Sequence, residues 1–212
     1  FARMFDDVAR RFPAYAPSVV RSSPPILTLD AFLTPSHVAE LRRLLRPEAA
    51  GDDAAAPAAA APPPREGERS GGTGPVRSAR RTSRSAWCTG PCESSPPVAE
   101  LRQKVQELLG VPSPAYFEHV QFLRYAPGEF YRTHLDQFAR DDATARPCGP
   151  RVLTVFVYLN DLPPGGGGET RFPSAEPPLS VTPAAGKAVV WPSVLGADLA
   201  SPDERTWHEA AE

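Results

Sequence analysis

The sequence predicts a mainly β domain, an antiparallel sandwich or barrel with flanking helices on its amino-terminal side. Short runs of alternating or β-branched character crowd residues 118–191, and Pro/Gly turns separate them. Helical spacing of apolar residues occurs only ahead of that stretch. A length of 212 residues suits one domain with a substantial core.

Residues 1–24 form an amino-terminal segment, and the domain proper is expected over 25–212. Residues 26–29, Ile-Leu-Thr-Leu, read as a short strand. A helix is expected next, with Thr34 as its N-cap and Pro35 at its first position, burying Val38, Leu41, Leu44 and Leu45. Residues 47–75 are mostly Ala, Pro, Gly and charge, too poor in apolar surface to offset ordering entropy, and read as a disordered insertion. A second helix is expected over 97–109, capped by Ser94 or Ser95 and stopped by Gly110 and Pro112. Strands follow at 118–125, 130–138, 152–159, 179–181 and 187–191. The run 152–159 is continuously apolar and suits a strand buried on both faces.

Charge excludes some partners. A net charge of −2 leaves no electrostatic footprint for nucleic acid or an anionic membrane. The basic cluster Arg77, Arg80, Arg81 and Arg84 reads as a solvated loop. The run 152–159 is also the longest apolar stretch, far too short to span a bilayer. The chain begins at Phe1 and ends at Glu212 directly after a motif, so it is expected to be a fragment; a membrane anchor would lie outside it. Of its three cysteines, Cys88 and Cys92 stand close enough for a local bridge or for half of a zinc site, and Cys148 is left over.

The chemistry concentrates at His134 and Asp136. A histidine and a carboxylate two apart on an extended strand point to the same side. With a distant histidine, for which His208 is the candidate, they would form a two-histidine, one-carboxylate facial site for non-heme Fe(II). Alone, H-x-D is a weak signal, expected by chance ~0.2 times in such a chain. Upstream, the Pro127-Gly128 turn makes Tyr125 a neighbour of the H-x-D strand. The Gly165–Gly168 run lacks the Lys-Ser/Thr and the helix of a phosphate loop, and reads as a tight connection into residues 169–172. Residues 194–204 read as extra loop ahead of His208. His37 reads as structural or exposed, His119 as the start of a strand, and no serine or cysteine has a nucleophile signature.

In order, the motifs are Y-x-P-G-x-x-Y-x-x-H-x-D from Tyr125 to Asp136, T-V-F-V-Y-L-N-D from Thr154 to Asp161, and G-G-E-T-R-F-P from Gly167 to Pro173. L-x-V-x-P-x-x-G-x-A-V-V-W follows from Leu179 to Trp191, and then His208. This series resembles the Fe(II)/2-oxoglutarate dioxygenase domain of prolyl 4-hydroxylases of the α-subunit type. The resemblance implies a double-stranded β-helix, or jelly-roll, core with iron held by His134, Asp136 and His208. It implies 2-oxoglutarate as co-substrate, with Tyr125 and Tyr158 as nearby hydroxyls and Thr154 lining the pocket. Trp191 and the apolar strand would keep water away. Molecular oxygen and ascorbate are the further cofactors, and a proline-containing peptide hydroxylated at C4 is the substrate implied. The alternatives are the same chemistry on a non-proline substrate and a non-catalytic jelly-roll binding module. The family pattern adds a Lys or Arg about ten residues past the distal histidine and a final strand; neither stands in this sequence, and whether that cation exists beyond Glu212 is left open. The endoplasmic reticulum lumen or secretory pathway is the compartment the resemblance suggests.

Overall fold

The computed structural model describes residues 1–45, 80–137, 149–163 and 165–212. The insertion read at 47–75, with Arg77, Phe138 and Cys148, lies outside the described residues. In chain order the elements are α1 (Ala2–Arg11), β1 (Pro17–Ser22), β2 (Pro25–Leu29), α2 (Pro35–Arg43), β3 (Arg84–Trp87), α3 (Pro96–Leu109) and β4 (Gln121–Arg124). Then come β5 (Tyr131–His134), β6 (Leu153–Val157), β7 (Thr170–Phe172), β8 (Leu179–Val181), β9 (Ala188–Pro192), β10 (Val194–Leu195), β11 (Asp198–Pro202) and β12 (His208–Ala210). They form two compact units, Phe1–Thr34 with Arg132–Ala211, and Pro35–Tyr131 with Glu212.

The first unit is the jelly roll. One sheet has the order β1-β2-β9-β6 and the other β5-β12-β7-β8. Ile26, Tyr158, Phe172, Val181, Val189 and Trp191 come from both sheets and share one core, so the inner faces pack together. α1 buries Phe5 and Val8, three apart on one face, while its charged residues stay outside. Gly186 fixes the turn into β9. Its φ is +86°, and a Cβ there would meet the Leu33 carbonyl oxygen at 2.5 Å. The Leu33 N–H donates to the Gly186 carbonyl at 3.0 Å, which holds the two backbones close.

Sheet order corrects the expectation for residues 152–159. Every residue of β6 is only half-buried, because β6 lies at the edge of its sheet. The strand buried throughout is β9, which lies between β2 and β6 and pairs with both. The glycine run leads into a strand that was not among those expected, Thr170–Phe172, with Thr170 and Phe172 inward and Arg171 outward. Residues 194–204 are not plain loop either: β10 and β11 pair there as a hairpin.

In the second unit α2 begins at Pro35, as its proline signal predicts, and packs with α3. Gly110 ends α3 in the left-handed conformation. His37 is buried, with Nε2 2.8 Å from the Pro97 carbonyl and Nδ1 3.3 Å from Glu100, which is a structural role. Arg84, read as part of a solvated loop, opens β3 and pairs with Arg124 of β4. Arg81 stacks its guanidinium 4.7 Å over the Tyr131 ring. Cys88 and Cys92 are joined by a disulfide, which settles the bridge against the zinc half-site. No helix among the described residues is long and apolar enough to cross a membrane.

Candidate metal centre

His134 closes β5 and His208 opens β12, and these strands are neighbours in one sheet. Sheet pairing therefore joins two histidines that are far apart in sequence. The adjoining residues tighten the join: Thr133 Oγ1 donates to Glu209 Oε2 at 3.1 Å. Asp136 lies two residues past the end of β5, in a bend, so the spacing argument works without a full strand. Its Oδ1 is 3.7 Å from His134 Nε2 and 3.5 Å from His208 Nε2. One ligand atom from each of the three residues falls within 4.8 Å of the others. The structure thus brings together all three metal ligands expected from the sequence.

Both imidazoles are oriented from behind. His134 Nδ1 lies 2.9 Å from the Arg132 carbonyl and His208 Nδ1 lies 3.0 Å from the Thr206 carbonyl. A carbonyl only accepts, so each Nδ1 carries a proton, and either ring when neutral presents its Nε2 lone pair to the centre. Burial opposes charge on Asp136, yet the charges of His208 and His134 and the hydrogen bond from Thr154 outweigh it. They hold the carboxyl well below its usual 3.8. For His208, burial works against protonation, but pairing with Asp136 and the bond to the Thr206 carbonyl raise its pKa above 6.5.

Aromatic rings wall one side. Trp191 meets His208 edge-on at 4.8 Å between centroids, and Phe172 lies 5.7 Å from the same imidazole. Trp191 is only 1% exposed, so this side of His208 is dry. Tyr158 is buried on the same core and donates to Thr170 Oγ1 at 2.7 Å. Burial pushes its hydroxyl up to about 12, against the opposing bond with Thr170, so it stays a neutral donor. Thr154 Oγ1 donates to Asp136 Oδ2 at 2.6 Å. Tyr125 lies just past β4, half-buried; β4 pairs with β3 in a sheet of its own and not with β5, which corrects the expectation that the Pro127-Gly128 turn makes it a sheet neighbour of the H-x-D strand. His119 ends near Glu93 at 3.0 Å and is separate from the ligand cluster.

Sequence reasoning missed several supporting residues. Thr170 stands inside the quoted G-G-E-T motif and could have been singled out there as a polar residue entering a strand. Asp203, Arg205 and Thr206 carry no local signature. Their role follows from a turn, in which buried Asp203 accepts from Arg205 Nε at 2.8 Å and Nη2 at 2.7 Å. Thr206 Oγ1 donates to the Asp203 carbonyl at 2.7 Å, and the Thr206 carbonyl holds His208.

Two imidazole nitrogens and one carboxylate oxygen on one face fit Fe(II) in an octahedral site with open positions. A thiolate ligand, which would favour zinc, is absent from this cluster. Known proteins agree. Residues 120–212 match the family model of the 2OG-Fe(II) oxygenase superfamily. The chain is 32% identical over 207 residues to prolyl 4-hydroxylase 1 of Arabidopsis thaliana, an alignment covering 92% of this chain and 66% of that protein. In fold it is similar to the viral collagen prolyl hydroxylase of Paramecium bursaria Chlorella virus-1 in its 2OG complex, at TM-score 0.60 and 22% identity, over 87% of this chain and 86% of that one. It is similar also to a Trichoplax adhaerens prolyl hydroxylase in complex with a hypoxia-inducible-factor peptide fragment, at TM-score 0.59 and 17% identity, over 99% and 83% of the two chains.

Proposed function

The chain belongs to the prolyl 4-hydroxylase family of 2OG-Fe(II) oxygenases, and from that membership we propose that it hydroxylates peptidyl proline at C4. The co-substrates would be 2-oxoglutarate and O2, the co-products succinate and CO2, and ascorbate would sustain turnover. The observation that carries this reading is the convergence of His134 Nε2, Asp136 Oδ1 and His208 Nε2. His134, Asp136 and His208 would hold Fe(II), which would supply the redox chemistry for oxidative decarboxylation of the oxoacid and hydroxylation of a C–H bond.

The residues of this chain do the holding and the shielding. Backbone carbonyls of Arg132 and Thr206 fix the tautomer of each histidine, so the nitrogens are ready to bind without reorganisation. Asp136 brings the negative charge, kept ionised by its histidine and threonine neighbours. Trp191 and Phe172 exclude water behind His208, which protects a reactive centre from side reactions. Tyr158 and Thr170 offer a buried hydroxyl pair, suited to receive a polar end of the co-substrate.

A peptide substrate is supported by the peptide bound to the Trichoplax neighbour and by the names of the curated relatives. The Cys88–Cys92 disulfide supports an oxidising compartment, in keeping with the secretory pathway. The test is succinate and hydroxyproline formation from a proline-rich peptide, with Fe(II) and 2-oxoglutarate each omitted in turn. Both products should depend on every component and vanish in His134→Ala and Asp136→Ala. Retained turnover in both variants would exclude the reading.

A further inference from the structure

A carboxylate has two oxygens and can grip a cation with one or both. In this site the two oxygens of Asp136 do different jobs. Oδ1 faces His134 Nε2 at 3.7 Å and His208 Nε2 at 3.5 Å, whereas Oδ2 accepts the Thr154 hydroxyl at 2.6 Å. The latter distance is in the range of charge-assisted O–H···O bonds. We propose that Thr154 is a positioning residue that holds Asp136 to one-oxygen coordination and so keeps a position on the bound ion open. The proposal rests on the iron-site reading above.

Thr154 is itself well placed to do this. It sits in β6, in register with Trp191 of β9. Its β-branched side chain is stiff at χ1, which limits how far the hydroxyl can follow a moving carboxylate. Its oxygen also lies 3.5 Å from that of Ser193, a side chain 1% exposed. A hydroxyl has one proton; given to Asp136, it leaves a lone pair toward Ser193. Oδ2 keeps a second lone pair, but bringing it to an ion would turn the carboxylate against the direction in which this bond holds it.

The consequence lies in the count of coordination positions. Single-atom binding by three protein ligands leaves about three positions on an octahedral ion, enough for a chelating oxoacid and O2 together. Two-oxygen binding by Asp136 would take one of them. The hydroxyl of Thr154 therefore guards the place where the second co-substrate must enter.

Mn(II) is a suitable probe, because it accepts the same ligands and its relaxation of water protons counts exchangeable waters. Wild type, Thr154→Val and Thr154→Ser are loaded with Mn(II) alone at matched, measured occupancy. Relaxation per bound ion should fall by about one third in Thr154→Val and stay at the wild-type level in Thr154→Ser. Thr154→Ala, which shortens the side chain, serves as a second hydroxyl-free variant and should fall as Thr154→Val does. Infrared difference spectra between loaded and metal-free protein should show a narrowed carboxylate splitting in the hydroxyl-free variants. Wild-type relaxation and an unchanged splitting in either loaded hydroxyl-free variant would overturn the proposal, as would the same fall in Thr154→Ser. Adding 2-oxoglutarate separates this from the parent reading. If the co-substrate displaces no water from wild-type Mn(II), the oxygenase site itself is refuted, whatever the variants show with metal alone.

Discussion

The imidazoles of His134 and His208 lie 4.2 Å apart between ring centroids, and each gives its Nδ1 proton to a carbonyl two residues earlier in the chain. Two nitrogen lone pairs so close repel unless something positive lies between them. Asp136 faces both nitrogens and supplies the charge that makes the cluster a cation site. Asp136→Asn keeps the shape and removes the charge. It should cost more metal affinity than the roughly 10–100-fold lost when an outer-shell partner is removed. Titration with Fe(II) or Mn(II) checks this, with circular dichroism to confirm that the fold is intact. Near-wild-type affinity in the Asn variant would contradict the ligand assignment.

The pH dependence has opposite signs with and without metal. In metal-free protein, the His208 value lies above its ordinary 6.5, so pairing with Asp136 stabilises fully below 6.5 and is lost as pH rises through the raised value. The Asp136 value lies below 3.8, so its contribution is present above 3.8 and lost as pH falls through the lowered value. Metal binding needs His208 neutral, so protons compete with the ion. The melting-temperature difference between Mn(II)-loaded and metal-free protein should therefore widen from about pH 5 to about pH 9. A difference constant over that range would be incompatible with His208 as a ligand.

Trp191 joins the core to the site. Its indole packs on Phe172 at 5.3 Å and on His208 at 4.8 Å while 1% exposed. Trp191→Ala should destabilise by about 3–5 kcal/mol, combining lost burial with a cavity. Trp191→Phe keeps an aromatic edge against His208 and should cost less, on the order of 1–2 kcal/mol. Urea unfolding followed by far-UV circular dichroism gives both values. Equal costs for the two variants would mean that neither retained volume nor an aromatic edge substitutes here, and that the full indole is required.

Local signals were legible and relational ones were not. Pro35 announced the start of α2 and Gly110 the end of α3, because both act through backbone geometry within a few residues. His134 and Asp136 were legible through their spacing only together with the ordered motifs around them, and His208 through the order of motifs before it. The centre and edge of the first sheet were misjudged, since β6 and β9 are both apolar and only strand order decides which is covered. β7 was missed because three residues are too few to establish alternation. The disulfide was left open because a C-x-x-x-C spacing serves both a bridge and a metal. The turn that positions His208 was not singled out because its bonds, though they join residues two or three apart, follow no spacing that marks a turn in the sequence.

That turn supports one more expectation. The Asp203 side chain is 3% exposed, and its carboxylate is gripped by Arg205 through Nε to Oδ1 at 2.8 Å and Nη2 to Oδ2 at 2.7 Å. Arg205 Nη1 continues to Ser23 Oγ at 2.7 Å, tying the turn to the β1–β2 connection. Asp203 and Thr206 are joined through the Asp203 carbonyl, and Thr206 holds His208, so a strained Asp203 would move the His208 imidazole. Arg205→Ala strands a buried carboxylate. The guanidinium is 49% exposed, so water will replace part of what it gives, and the cost should be about 1–3 kcal/mol. Metal affinity should fall with it by roughly tenfold, the scale of an outer-shell loss. Arg205→Lys cannot reproduce the two-pronged grip and should recover only part of either quantity. Asp203→Asn combined with Arg205→Ala removes the stranded charge and should be more stable than Arg205→Ala alone. Unfolding and metal titration on the four proteins decide it: if Arg205→Ala matches wild type in both, the turn does not set the position of His208.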